Sequence, residues 1–304
     1  MKIALFIFFL LLASIGFSQK VQVAGGEVKR LEKFSSQYVD PQTVDVWLPE
    51  GYSPKKKYAV VYMHDGQMLF DSTTTWNHQE WGVDETASRL MREGKIKDCI
   101  VVGIWNNGQK RWPEYFPKKA FDYLSAEEKA RLEKASAANN QTAPALLADQ
   151  YLLFLVKELK PFIDNTYSTK KDKNHTFIMG SSMGGLISMY AICEYPKVFG
   201  AAACVSTHWP GAGSFANNPL PAAFQAYLKD HLPTPRKNRI YFDYGDQTLD
   251  ALYPPLQAQV DEIMKAKGFS AANWTTKGFP GEDHSERSWA KRLEIPMLFL
   301  LKTK

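Results

Sequence analysis

Residues 99–105 read CIVVGIW, with no charged side chain and no alternation of apolar with polar. Such a run is short for a helix, and as a strand it has no wet face. It has to be covered on both sides, as in a parallel sheet flanked by helices. Further short runs stand at 58–63 (YAVVYM), 175–179 (HTFIM), 201–206 (AAACVS) and 239–244 (RIYFDY), and NWTTK at 273–277 reads as a last strand. Helix-like stretches fall between and after them, at 83–92, 183–195, about 222–230, 255–267 and 285–301. This alternation predicts an α/β fold: a mostly parallel central sheet with helices on both faces. The first part differs. Residues 20–49 read as strands, and VDVWLP alternates apolar and polar before stopping at Pro49-Glu50-Gly51.

Residues 106–148 interrupt the pattern. NNGQKRWPEYFPKKA is irregular and aromatic, a polar helix is expected near 125–137, and an Ala/Asn/Gln/Pro patch follows. This stretch reads as an excursion from the main fold, a lid or a rim. Residues 149–164 resume as an amphipathic helix expected to end near Pro161. No internal repeat and no linker divides the rest, so residues 19–304 are expected to form one domain.

The first eighteen residues read as a secretory signal: Lys2, an apolar run from Ile3 to Phe17, and small residues at Gly16 and Ser18. Cleavage would leave Gln19 first. The run is short for a membrane span, so stable membrane insertion after cleavage is not expected, and a periplasmic or secreted location is. Without Lys2 the chain has 36 basic and 32 acidic residues, a net of +4. No stretch groups basic and aromatic residues on one face, which gives nucleic-acid binding no support. Three cysteines, Cys99, Cys193 and Cys204, are an odd number in apolar surroundings. They are expected as small core residues, and none has metal-site spacing.

The chemistry is concentrated in IMGSSMGG, residues 178–185. A nucleophile elbow is G-x-S-x-G on a sharp strand-to-helix turn, and only small residues fit two positions either side of the serine. Ser182 has Gly180 and Gly184 there, whereas Ser181 has Met179 and Met183. Ser182 is therefore the candidate nucleophile, with the Met183 N–H at the helix start as an oxyanion donor.

A serine hydroxyl needs a base, and in this arrangement the chain order is Ser, then acid, then His. Of the six histidines, His64, His78 and His175 precede Ser182. His208 comes too early and His231 sits at a helix end. His284 follows the last expected strand, in the loop GFPGEDHSERSW. The acid should lie in GDQTLD, where Asp246 and Asp250 compete. Asp250, further along the loop, is better placed to reach back, and geometry has to decide. Asp243, inside the strand, reads as structural. HDGQMLFD, residues 64–71, occupies the place of the second oxyanion loop, with the Gln67 N–H as candidate donor.

Together these residues resemble the esterase D-like, or "putative esterase", family of α/β-hydrolases. It includes feruloyl and acetyl-xylan esterases, enterochelin-type siderophore esterases, S-formylglutathione hydrolase and mycolyltransferases. The matching segments are YAVVYMHDGQMLFD, WNHQEWGVDE, VVGIWNNGQKRWPEYFP, FIMGSSMGG, YFDYGDQTLDALY and GEDHSERSW, in family order from about residue 40 to 300. The tyrosine after TLD supports Asp250. The resemblance implies a Ser-His-Asp hydrolase with no metal or organic cofactor. It leaves the ester open: carbohydrate-linked acetyl or feruloyl esters lead, and siderophore esters come second. Trp105, Arg111 and Tyr115 are expected in the substrate rim, against a sugar or an aromatic acyl group. Two rivals remain: an acyltransferase with the same triad, and a non-catalytic binding protein on this fold.

Overall fold

A computed structural model describes residues 20–138, 145–211 and 217–303 of the chain. The expected signal segment and Gln19 lie outside the described residues. The chain enters through an antiparallel pair, β1 (Glu27–Phe34) and β2 (Gln42–Leu48). It continues through β3 (Ala59–His64), α1 (Val83–Arg92) and β4 (Cys99–Ile104). The 106–148 excursion carries α2 (Arg111–Tyr115) and α3 (Ala126–Ala138), followed by α4 (Ala148–Leu153) and α5 (Lys160–Thr166). Then come β5 (Thr176–Ser181), α6 (Met183–Glu194), β6 (Ala201–Val205), α7 (Leu220–His231) and β7 (Arg239–Gly245). The last elements are α8 (Tyr253–Ala266), β8 (Trp274–Phe279), α9 (Glu286–Arg292) and α10 (Glu294–Leu301).

The eight strands form one sheet in the order β1-β2-β4-β3-β5-β6-β7-β8. All pairings from β4 to β8 are parallel, and β2 joins β4 antiparallel. This is the open, mostly parallel sheet of the α/β-hydrolase fold. Its strands feed two cores. Val60 and Tyr62 of β3 pack with Leu186, Tyr227 and Met264 on one face. Ala59, Val61 and Met63 pack on the other with Val83, Leu90, Met297 and Leu300. Alternate side chains of an extended strand point to opposite faces, so a run that is apolar throughout buries both. The strand order reverses between β3 and β5, the position at whose carboxyl ends open α/β sheets bind their ligands.

Two expectations need correction. The helix begun near residue 149 does not stop at Pro161. It passes through a π-helical turn, Phe154–Leu159, and runs on to Thr166. Proline cannot donate to the helical ladder, and its ring needs room at the preceding turn. The wider π turn meets that need just before Pro161, the second residue of α5. The expected last helix, 285–301, is two helices that meet at Leu293. Pro296 has no N–H for the Arg292 carbonyl, so the ladder breaks there.

The excursion is also less detached than its composition suggests. Tyr115, Phe116, Ala120 and Leu124 are buried in the larger core. All three cysteines are buried and unpaired.

Candidate active site

Asp65, Ser182, Ser206, Asp250 and His284 each follow the carboxyl end of a parallel strand: β3, β5, β6, β7 and β8 respectively. Four residues after these strands have left-handed backbones: Asp65 (φ 56°), Ser182 (φ 58°), Ser206 (φ 41°) and Thr248 (φ 54°). A side chain at such a φ is strained, and strain of this kind gathers where the structure holds groups for chemistry.

Ser182 caps α6 with φ 58° and ψ −123°. The turn is possible because its flanks are bare. A Cβ on Gly180 would stand 2.8 Å from the Gly184 backbone, and one on Gly184 would meet the His64 Cβ at 3.3 Å. A Cβ on Gly185 would come 2.9 Å from the Val205 carbonyl oxygen, so α6 packs close against β6. The Ser182 N–H donates to the Val205 carbonyl at 2.9 Å, and the Ser182 carbonyl accepts from His208 N–H at 3.1 Å. Met183 is the first helical residue, where N–H groups have no intrahelical partner and the helix dipole is positive.

His284 Nδ1 lies 2.5 Å from Asp250 Oδ1. The ring meets Trp289 edge-on at 5.0 Å, and the His284 N–H donates to Thr248 Oγ1 at 3.0 Å. Asp250 is fully buried. Its other oxygen accepts from Ser206 Oγ at 2.5 Å and Gly245 N–H at 2.7 Å. Burial alone would push its carboxyl up; the His284, Ser206 and Gly245 hydrogen bonds outweigh it and hold the pKa below the usual carboxylate range. Asp250 is therefore ionised near neutrality, as an acid that fixes an imidazole tautomer should be. Asp246 instead bonds Gln247 and the Gly281 N–H at the surface. Asp243 is buried against Tyr241, Ser206 and Arg292.

Ser182 and His284 share this face without bonding to each other: among the described residues no hydrogen bond joins Ser182 Oγ to the His284 ring. Catalytic hydrogen bonds of this kind are often long before substrate binds.

Gln67 sits in a short 3-10 turn, Gly66–Met68, beside the site. A Cβ on Gly66 would be 2.5 Å from the Gly103 carbonyl carbon, so only glycine lets this loop close on β4. The loop is braced by Asp65. Arg111 clamps its carboxylate through two bonds of 2.7 and 2.8 Å, and Asn106 Nδ2 donates at 2.8 Å. Burial works against the Asp65 charge, but Arg111 holds the carboxyl below its ordinary value.

The three expected rim residues part company. Arg111 stays partly exposed while clamped to Asp65. Tyr115 is fully buried, with its ring against His64 and Tyr151, so it does not reach the rim. Trp105 turns toward β2: its indole N–H donates to Asp45 at 2.9 Å and Arg30 covers the ring at 4.6 Å. Sequence reading missed Ser206, His208, Tyr253, Trp289 and Arg292. Trp289 and Tyr253 stand in the segments GEDHSERSW and YFDYGDQTLDALY, but their contacts cross from one strand end to the next. No group of three or more His, Cys, Asp or Glu among the described residues is arranged to hold a metal.

The family model described as "Putative esterase" matches residues 35–294. The "Uncharacterized protein YbbA" of Bacillus subtilis is 25% identical over 255 residues, 81% of this chain and 87% of that protein. An "Endo-1,4-beta-xylanase/feruloyl esterase" of Xylanibacter ruminicola is 24% identical over 91% of this chain, which spans only 32% of that longer protein. Among solved structures, a ferulic acid esterase superposes with TM-score 0.62 at 19% identity, covering 90% of this chain and 97% of the other. The enterobactin esterase FES of Shigella flexneri gives TM-score 0.64 at 16% identity, covering 92% of this chain and 61% of the other. At these identities the two superpositions establish the fold.

Proposed function

The chain belongs to the "Putative esterase" family and is a carboxylic ester hydrolase on the α/β-hydrolase fold, and on that premise we propose that it works through a Ser182-His284-Asp250 triad. The observation that carries this reading is the 2.5 Å bond between His284 Nδ1 and a fully buried Asp250, at the strand ends where Ser182 forms its strained turn. Ser182 Oγ attacks the ester carbonyl carbon while His284 Nε2 takes the serine proton. The N–H groups of Met183 and Gln67 bind the oxyanion. The tetrahedral intermediate collapses, and His284 returns the proton to the departing alcohol. Water, deprotonated by His284, then attacks the acyl-enzyme; as the second tetrahedral intermediate collapses, His284 returns that proton to Ser182 Oγ and the acid is released. Asp250 keeps the Nδ1 proton in place and stabilises the imidazolium throughout.

The substrate class is a carbohydrate-linked ester, acetyl or feruloyl, with siderophore esters second. A relative named as a xylanase/feruloyl esterase and a superposing ferulic acid esterase support the first; the superposing enterobactin esterase supports the second. Arg111 is the rim residue best placed to meet the substrate. Export through the N-terminal signal and a single domain from residue 19 belong to the same proposal. Among the described residues, no helix is long and apolar enough to cross a membrane.

Hydrolysis of 4-nitrophenyl acetate and methyl ferulate by the protein, Ser182→Ala and Ser181→Ala tests the reading. Ser182→Ala should lose at least about a thousandfold in kcat, while Ser181→Ala stays within a fewfold. Comparable activity in both variants would refute the assignment of the nucleophile. Ester products formed with an added alcohol in excess over free acid would turn the assignment to acyl transfer.

A further inference from the structure

The oxyanion loop and the start of α6 meet at one carboxylate. Asp65 precedes Gly66 and Gln67 in a left-handed backbone (φ 56°), a conformation that its surroundings have to hold. The Arg111 guanidinium gives Asp65 its Nε and Nη2 edge, at 2.7 and 2.8 Å, and lies 5.3 Å from the centre of the Tyr115 ring. Asn106 works on both sides of Gly66. Its Nδ2 donates to Asp65 Oδ1 at 2.8 Å, and its backbone N–H donates to Gln67 Oε1 at 3.2 Å. The Asp65 N–H donates to the Tyr115 hydroxyl at 3.4 Å. The first residues of the excursion therefore grip the loop at both Asp65 and Gln67. The same carboxylate borders the elbow. A Cβ on Gly184 would lie 3.3 Å from Asp65 Oδ2, so the Asp65 charge stands beside the second residue of α6, next to Met183.

That placement is a hazard for ester hydrolysis. The positive end of α6 stabilises negative charge. A bare carboxylate there would compete with the oxyanion for it and repel the oxyanion as well. A bidentate guanidinium offsets the charge and fixes the direction of the carboxylate. We propose that Asp65 and Arg111 form a charge-compensated clamp that positions the oxyanion hole: Asp65 holds the Gln67 N–H in place, and Arg111 shields the oxyanion from the Asp65 charge. Both are positioning residues, and Arg111 acts on the reaction through Asp65. This role is separate from a rim contact, which would show in KM. The inference rests on Ser182 as the nucleophile and on the Met183 and Gln67 N–H groups as oxyanion donors. Neither side chain makes or breaks a bond to the substrate.

The experiment compares Asp65→Asn, Arg111→Leu and the Asp65→Asn/Arg111→Leu double variant, with Ser182→Ala as reference. The readouts are kcat and KM on 4-nitrophenyl acetate, the inhibition constant of an aryl trifluoromethyl ketone, and thermal unfolding. Ser182 Oγ adds to the ketone carbonyl, and the hemiketal oxygen then sits where the oxyanion forms. Asp65→Asn keeps the shape but loosens the clamp, and should lower kcat about tenfold. Arg111→Leu leaves the carboxylate bare and should lower kcat about a hundredfold. The double variant should recover about tenfold over Arg111→Leu, because the unpaired charge has gone. KM should stay within about twofold throughout, and ketone binding should weaken in step with kcat/KM. A double variant no better than Arg111→Leu, a ketone that binds all folded variants alike, or a loss confined to KM would overturn the proposal. If Arg111→Leu does not fold, Asp65→Asn decides: unchanged kcat in that variant overturns it. An active Ser182→Ala would bring down the nucleophile assignment itself. A dead Ser182→Ala beside unaffected Asp65 and Arg111 variants would bring down only this inference.

Discussion

Asp250 meets His284 Nδ1 at 2.5 Å with one carboxylate oxygen and spends the other on Ser206 Oγ and the Gly245 N–H. Three of the roughly four acceptor sites of this carboxylate are thus used, inside the protein and away from water. A carboxylate so held cannot swing, and neither can the imidazole it faces.

Asp250→Asn should therefore leave the fold intact and lower kcat by about four orders of magnitude, since an amide can present its N–H to Nδ1 and favour the wrong tautomer. Asp246→Asn should stay within about threefold, because Asp246 only ties Gln247 and Gly281. Steady-state kinetics on 4-nitrophenyl acetate separates the two. Equal losses would return the acid's identity to question.

Arg292 stands behind this acid, 3% exposed, 3.2 Å from Asp243 and 3.8 Å from Asp250. Its Nη2 also donates to Ser206 Oγ, while Nε and Nη1 have no partner. Arg292→Met removes the cation and leaves two buried carboxylates facing one another. We expect a loss of about 3–5 kcal/mol in urea unfolding. The Asp250 pKa should rise, so kcat should fall more steeply at pH 5 than at pH 8. A uniform loss at both pH values would mean Arg292 acts on packing alone.

The sheet and most helices were legible because burial on both faces writes itself into short apolar runs such as CIVVGIW. The candidate nucleophile Ser182 was legible because a Cβ on Gly180 would collide with the Gly184 backbone and one on Gly184 would crowd the His64 side chain, which makes the choice between two serines steric. His284 and Asp250 followed from chain order. The supports did not. Ser206, Trp289, Arg292 and His208 are ordinary residues until β6, β7 and β8 bring their ends together, and no local pattern encodes that meeting. His208 was set aside by the same ordering rule that found His284, because the rule concerns the base and is blind to neighbours. The burial of Tyr115 and the turn of the Trp105 indole toward Asp45 were not legible for a related reason: aromatic character does not say which way a side chain turns.

Gly180→Ala tests the steric argument. The new Cβ would lie 2.8 Å from the Gly184 backbone. A cost of about 1–3 kcal/mol is expected, with kcat falling about a hundredfold as Ser182 shifts. Gly94→Ala is the control: φ is +66° and nothing lies within 4 Å. It should cost about 1 kcal/mol from backbone strain, with kcat unchanged. Equal kcat in both variants would show that the elbow yields without moving its serine.

Glu114, fully buried beside Gln42, has its carboxyl pushed up to about 7 by burial, with Gln42 opposing. The folded protein therefore holds a proton that the unfolded chain, with a carboxyl near 4.5, gives up. Below pH 4.5 both states are protonated and Glu114 costs nothing. As pH rises from 4.5 to 7 the folded state loses ground, and above 7 the loss is constant. Glu114→Gln has no such proton to lose. It should unfold like the wild type at pH 4.5 and be more stable by about 3 kcal/mol at pH 8. Asp84, pushed up to about 7 by burial and by Glu85, titrates in both proteins, so the difference isolates Glu114. A stability gap that is the same at both pH values would mean that Glu114 is ionised in the fold and that its burial is offset by another charge.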